Sequence, residues 1–507
     1  MNTRSKWLGV AGVLLATLSL LPTVNAQVLT GACLNSAVPL SVEEQRLNRV
    51  LPENNNLTIP QSTPIPQQLI EGAGFQDFAP AFISDLCDAH NFRAAKAIVF
   101  TKGQHLWRAA VDRAQGRRTG GTLPASDDRP LYWTRLQMSA ALRQWVPDFY
   151  LSDDGRDDLL WNFERASRGQ FDINFPPGKH VKRLIMSGFD PFTLDFSLDP
   201  VAQSKGIENG ILIGNPSGAT ILSLDGTQHK SPDGSLVYIQ TYILPVNYGP
   251  FKQGMQEDTI GPFIMPGPFE VGASITMSQG GDDQFWLEQF NGRYHGPFYG
   301  NDNIAFCPSI NNVPQLAIDN HDCNIIVVPR WGGPRHFDLF NPPQWTETSN
   351  PIAEMIAADT GVGIPKPPGD TWTGPGAFQV IWHTTFDEFP SCYSTTVETF
   401  NSYGGVGGAS TFPPPVPPTP PDPGSCAYNG GGGNYLSNES AFRNTTLRNR
   451  YHRDIPAGHI HVPVMTHFAA GDITVLTDST FEAWRESIKE QARRLVFVVA
   501  DSIPSKK

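Results

Sequence analysis

The chain has 507 residues, with 47 glycines, 45 prolines and a formal net charge of −12. That length exceeds one ordinary core, so two domains, or one elaborated domain, are expected. The acidic balance argues against nucleic acid and anionic membrane surfaces as partners.

Residues 1–26 read as a secretory signal peptide. Arg4 and Lys6 make a positive start, Trp7 to Leu21 is apolar, and Val24-Asn25-Ala26 is a small-residue cleavage site. The apolar core is too short for a membrane span, and no later run is long enough for one. The expected location is therefore secreted or periplasmic. An even number of cysteines behind such a leader favours disulfides over free buried thiols. Neighbours are expected to pair: Cys33 with Cys87, Cys307 with Cys323, and Cys392 with Cys426. There is no CxxC, so no zinc ribbon is expected.

Residues 27–178 read as a mainly helical region. Met138, Ala141, Leu142 and Trp145 fall at helical spacing on one face. "FRAAKAIVF" and "RDDLLWNFERA" are similar, and nothing in this region suggests chemistry. Pro176-Pro177-Gly178 is a boundary signal. From residue 179 to 507 the pattern changes. "VKRLIMSGFDPF" reads as a short apolar strand running into a turn, "LVYIQTYILPV" and "FEVGASITMS" as strands rich in β-branched residues, and "GHIHVPV" as another strand. Ser479 and Glu482 suggest a capping box, opening a helix with Phe481, Trp484, Ile488, Ala492 and Leu495 on one face. Strands alternating with helices predict an α/β fold with a central sheet. Pro413 to Pro423 is proline-rich and reads as a stiff inserted loop, tied at its base by a Cys392–Cys426 bridge.

Just after this insertion stands "NGGGGNYLSNESAF". Glycine runs persist mainly where backbone must pass close to something. Ser437, where the run meets a helix start, reads either as an ordinary cap or as a nucleophile near backbone N–H groups that favour negative charge. In "AGHIHVPV", His459 and His461 share one strand face. Either a base or a metal site could follow from that pair, but no third ligand stands nearby. There is no G-x-S-x-G elbow. Asn56, Asn438 and Asn444 fit the glycosylation pattern. A glycan on Asn438 would crowd Ser437, so that residue is expected to stay bare.

From about Val181 onward the chain resembles the pyroglutamyl peptidase I (pyrrolidone-carboxylate peptidase) family. "MSGFDPF", "NPSG", "LPV", "MSQGG", Glu288, "GNDN", "GGNYLSN" and "GHIHVP" fall in the family's order. The resemblance implies a twisted α/β sheet with helices on both faces; no cofactor or metal is expected. It also implies roles. Glu288 would orient His461, His461 would be the base, and Ser437 stands where the family has its cysteine. Phe189 and Phe192 would sandwich a pyroglutamyl ring, Asn215 and the Gln279 turn would bond its lactam, and Leu436 would line the pocket. Without the resemblance, Phe189 and Phe192 read as core aromatics and Glu288 as a solvated strand residue.

Several positions depart from the family pattern. A serine hydroxyl is far less acidic than a thiol and needs its base at the moment of attack. Outside the cytosol, serine also avoids oxidation and exchange with structural disulfides. Thr193 and Leu194 replace glycines, and Asp282 and Asp283 follow the Gln279 turn. The expected function is a hydrolase releasing a pyroglutamyl or related small amide group from a peptide or small amide substrate. The alternatives are a non-catalytic binding protein for such peptides, or an ester or lactone hydrolase.

Overall fold

The computed structural model describes residues 31–50, 63–178, 180–195, 210–281, 283–296, 298–305, 343–400, 418–469 and 475–505. The expected signal peptide, Asn56, Cys307, Cys323, Asp282 and the first part of the proline-rich segment lie outside the described residues.

The N-terminal part is helical. Helices span Ile65–Gly72, Phe78–Cys87, Phe92–Ala114, Arg129–Gln144 and Asp153–Ala166. Two begin on side-chain caps: Asn91 accepts the N–H of Ala94, and Ser152 that of Gly155. Met138, Ala141, Leu142 and Trp145 are all buried, as their spacing predicts. Each large apolar side chain so buried stabilises by roughly 1.5–3 kcal/mol. Cys33 and Cys87 are bridged, with Cα atoms 5.5 Å apart, which ties the N-terminal segment to the Phe78–Cys87 helix.

The remainder is a layered α/β fold. Its strands are β1 (Lys182–Phe189), β2 (Gln228–Lys230), β3 (Leu236–Leu244), β4 (Ala273–Gln279), β5 (Phe285–Glu288), β6 (Phe290–Gly292), β7 (Trp345–Glu347), β8 (Val380–His383), β9 (Phe386–Phe389), β10 (Glu398–Phe400), β11 (Cys426–Asn429) and β12 (Ala457–Val462). Seven form the central sheet, in the order β2-β3-β1-β4-β12-β5-β8. The middle four, β3-β1-β4-β12, run parallel. β1, β4 and β12 are buried along their whole length, as strands covered by helices on both faces must be. Covering helices include Pro216–Leu224, Met255–Ile264, Leu436–Arg450 and Ser479–Asp501.

The last helix does bury Phe481, Trp484, Ile488, Ala492 and Leu495. Its cap, however, is Asp478 and not Ser479: the Asp478 carboxylate accepts the N–H groups of Thr480 and Phe481. A carboxylate at a helix N-terminus gains from the dipole as well as the hydrogen bonds, so it displaces the neighbouring serine. The smaller sheets are β10-β9-β11 and β6-β7. Cys392 and Cys426, with Cα atoms 5.0 Å apart, join the first of these at the root of the insertion.

A buried polar seam joins the helical region to the sheet. Asp190, in the turn after β1, accepts from Arg135 on one oxygen and from Arg168 Nε and Nη2 on the other, the latter at 3.0 and 2.9 Å. All three side chains are buried. Nearby, Asp128 accepts the backbone N–H of Asn215 at 2.8 Å. Burial, then the neighbouring Asp127, pushes the Asp128 carboxyl up to about 7.

Candidate active site

The glycine run leads from β11 into the Leu436–Arg450 helix, whose N-terminal flanking residue is Tyr435. Ser437 is therefore the second residue of the helix and not its cap. At Gly431 an added Cβ would run into the Glu288 carboxylate, so only glycine lets the chain pass there. Gly433 has φ +75°, a left-handed conformation that other residues resist. Asn438, one residue beyond the serine, pins the helix to β6. Its Oδ1 accepts the Gly292 N–H at 2.8 Å, and its Nδ2 donates to the Gly292 carbonyl at 2.6 Å. Asn438 and Asn444 are both fully buried, which leaves no room for a glycan on either in the folded chain.

Glu288 ends β5 and is 1% exposed, so the solvated-strand alternative does not hold. Its two oxygens face two imidazoles. Oε1 lies 2.6 Å from His461 Nδ1 on β12, and Oε2 lies 2.6 Å from His383 Nδ1 on β8. The pairing that brings them together is register: Glu288 stands opposite His383, and His461 opposite Trp286. Burial alone would raise the Glu288 carboxyl. The two histidines outweigh it, through charge and hydrogen bonding, and hold the carboxyl well below the ordinary glutamate range. With Nδ1 engaged by the carboxylate, Nε2 of His461 is the ring atom left to take a proton.

Ser437 makes its hydrogen bond elsewhere. Its Oγ lies 2.9 Å from Ser278 Oγ on β4, not in hydrogen-bond contact with His461. Ser278 Oγ in turn lies 2.8 Å from His459 Nε2, and His459 Nδ1 lies 2.7 Å from Thr276 Oγ1. The parallel register of β4 and β12 sets Thr276 beside His459 and Ser278 beside His461. The two imidazole centroids are 4.7 Å apart and nearly perpendicular. Burial, and secondarily the neighbouring His461, pushes the His459 imidazole well below its usual value, so it is neutral.

The predicted pocket residues divide. Phe189 is in the core, its ring stacked on Phe251 at 6.2 Å. Phe192 lines a cavity of about 800 Å³ together with Arg46, Thr193, Asp195, Tyr299 and Tyr435. Phe189 ends β1, and Phe192, beyond the Asp190 turn, packs against the same apolar cluster. Arg46, from the helical region, pairs with Asp195 at the cavity. Thr193 sits at φ +59°, strained for a β-branched residue, in place of the glycine of the resembling motif. Asn215 caps the Pro216–Leu224 helix, accepting from Ser217 N and Oγ while Nδ2 donates to the Asp190 carbonyl at 3.0 Å. Its hydrogen bonds thus hold the Asp190 turn. Gln279 Oε1 accepts the Met465 N–H at 3.1 Å, and Leu436 is buried in the core behind the helix start.

Behind Ser437 the helix carries a buried charge network. Glu439 contacts His295 and Arg443, and Arg443 reaches Glu257 at 2.8 Å. Burial pushes the Glu439 carboxyl up, but His295 and Arg443 prevail and hold it at about 2. Among the described residues, no cluster of three or more histidine, cysteine or acidic side chains is arranged to hold a metal ion. No helix among them is long and apolar enough to cross a membrane.

His383, Ser278 and Thr276 were not singled out from the sequence. Thr276 and Ser278 did carry a signal, since they alternate on one strand face as His459 and His461 do. Nothing in "VIWH" marked His383.

Residues 24–164 match the family model described as the PA0049 N-terminal domain, and residues 183–466 match that of the PA0049 C-terminal domain. The uncharacterized protein PA0049 of Pseudomonas aeruginosa is 44% identical over 510 residues, spanning 92% of this chain and 90% of that protein. Among solved structures, a mutant pyrrolidone carboxyl peptidase from the hyperthermophile Pyrococcus furiosus aligns with 14% identity and a TM-score of 0.34, over 64% of this chain and 100% of its own. Another structure of that peptidase aligns with 13% identity and a TM-score of 0.32, over 62% and 99%. On the two domain matches and the 44% identity, the chain belongs to the PA0049 family.

Proposed function

We propose that the chain is an exported serine hydrolase acting on a peptide or small amide, with Ser437 as nucleophile, His461 as base and Glu288 as the acid that orients it. One observation carries the reading: a fully buried carboxylate 2.6 Å from Nδ1 of His461, which stands on β12 beside β4, whose Ser278 meets the Ser437 hydroxyl. The carboxylate fixes the tautomer, so Nε2 can take the serine proton as Oγ attacks a carbonyl carbon. Ser437 lies in the first turn of a helix, where unpaired backbone N–H groups favour the developing oxyanion. His461 then protonates the leaving nitrogen, and water reverses the sequence to free the acyl group. The motif resemblance makes an N-terminal pyroglutamyl group the first substrate to test. Asn215 is committed to the Asp190 turn, so ring recognition in this proposal rests on Phe192, Tyr435 and the Gln279 turn. Two disulfides in the described residues support export. Purified protein given a chromogenic pyroglutamyl amide should release dye, and Ser437→Ala should not. Equal turnover by both would remove Ser437 from the chemistry.

A second reading is a binding protein without catalysis. The observation that favours it is the Ser437 hydrogen bond to Ser278 in place of His461. Calorimetric binding of a pyroglutamyl peptide with no turnover over days would support it.

A further inference from the structure

The serine reading leaves a chemical gap. A hydroxyl must be deprotonated where a thiol would ionise with modest help. Glu288 and His461 together constitute the base, but neither makes a hydrogen bond to Ser437 Oγ, which meets Ser278 instead. Beside Oγ stands a second chain, Thr276–His459–Ser278, linked at 2.7 and 2.8 Å and ending 2.9 Å from Ser437. All three of its members are buried. They come from two neighbouring strands whose register holds them in place.

Resting on the hydrolase reading, we infer that Ser278 is a further catalytic residue, a hydrogen-bond donor to the nucleophile's own oxygen, and that His459 is its positioning residue. The polarity turns on the Thr276 hydroxyl, which lies 2.7 Å from His459 Nδ1 and 3.5 Å from the Gly458 carbonyl. A neutral imidazole has one donor and one acceptor nitrogen. If Thr276 donates to His459 Nδ1, then His459 Nε2–H donates to Ser278, and the single Ser278 proton is left for Ser437 Oγ. The neutrality of buried His459 suits this task, since it carries a hydrogen bond without ever taking charge. During acylation the Ser437 proton moves to His461 Nε2. The new C–O bond forms from an Oγ lone pair, and the carbonyl π pair moves to the carbonyl oxygen. The Ser278 hydroxyl supports the negative charge that builds on Oγ before the bond is complete. In deacylation the C–Oγ bond breaks, and the same donor meets the departing alkoxide until His461 returns the proton.

The role predicts dependence on the nucleophile's element. Acylation by 4-nitrophenyl acetate, read as the burst of nitrophenolate, reports on serine and cysteine nucleophiles alike. In the native protein, Ser278→Ala should slow the burst by about 10–100-fold, the weight of one hydrogen bond to a developing charge. Ser278→Thr, which keeps the hydroxyl, should recover most of that loss. In a Ser437→Cys background the same Ser278→Ala change should cost less than about 3-fold, because a thiolate needs no such donor. His459→Phe should follow Ser278→Ala in both backgrounds. Equal losses in the serine and cysteine proteins would overturn the donor role and leave a structural one. Loss of folding, read by circular dichroism, in Ser278→Ala but not Ser278→Thr would likewise count against it. Failure of the underlying hydrolase reading looks different: no burst from the native protein, whatever stands at position 278.

Discussion

His383 Nδ1 lies 2.6 Å from Glu288 Oε2, on the carboxylate oxygen that His461 leaves over. One buried acid thus serves two imidazoles, and the second fixes how firmly the acid stays charged. His383 also stacks on Trp286, the β5 residue opposite His461, with ring centroids 4.3 Å apart. The dyad is therefore braced from β8, which lies on the other side of β5 from β12.

The bracing has a pH signature. Glu288 is held below its ordinary value, so its contribution to stability is complete above about pH 4.3, the unperturbed glutamate value. It is lost as pH falls from there through the depressed folded value. His383→Asn removes one of the two partners, raises the folded value and shrinks that contribution. The acid-unfolding midpoint, followed by tryptophan fluorescence, should move upward by about one pH unit. An unchanged midpoint would mean that His461 alone holds the carboxylate.

Gly431 is predicted to be intolerant of any side chain. A Cβ there meets Glu288, and the Gly431 N–H is tied to the Phe290 carbonyl on β6. Gly431→Ala should cost about 1–3 kcal/mol of stability through overpacking. It should also abolish the nitrophenyl acetate burst by displacing the carboxylate. Gly424→Ala gives a comparison, because its φ of +90° is strained but nothing stands near its Cβ. That variant should lose stability and keep the burst.

The seam at Asp190 is expected to couple the helical region to the sheet. Asp190→Ala leaves Arg135 and Arg168 buried with Glu164 as their remaining acidic partner. Removing one partner of a buried ion pair costs roughly 3–5 kcal/mol. Urea unfolding should shift to correspondingly lower midpoints, and limited proteolysis should begin to cut between residues 166 and 182. Resistance equal to the parent would show that the two regions are held together by other contacts.

The Cys33–Cys87 bridge spans 54 residues of sequence. Opening it should cost about 2–5 kcal/mol, mostly through the freed unfolded chain. Thermal melts with and without a reducing agent measure this, and Cys33→Ser separates it from reduction of Cys392–Cys426.

Much of this arrangement is written locally. The helical region shows because Met138, Ala141, Leu142 and Trp145 repeat at helical spacing, and the central strands show through short stretches rich in Val, Ile and Thr between turn signals. Glu288 and His461 surfaced through motif order, and the structure brings them into contact. Two features were not visible, each for a physical reason. Asp478 displaced Ser479 because a charged cap gains from the helix dipole. His383 and Ser278 depend on which strands lie side by side, β8 beside β5 and β4 beside β12, and pairing between distant segments leaves no mark on either segment alone.

The central claim is that Ser437 is an activated nucleophile whose base is His461. Mass-spectrometric mapping after treatment with a fluorophosphonate probe tests it most directly. The account predicts covalent labelling at Ser437, with the rate falling roughly 100-fold or more in His461→Ala and substantially in Glu288→Gln. A folded native protein that leaves Ser437 unmodified, or that labels equally fast without the imidazole, would contradict it.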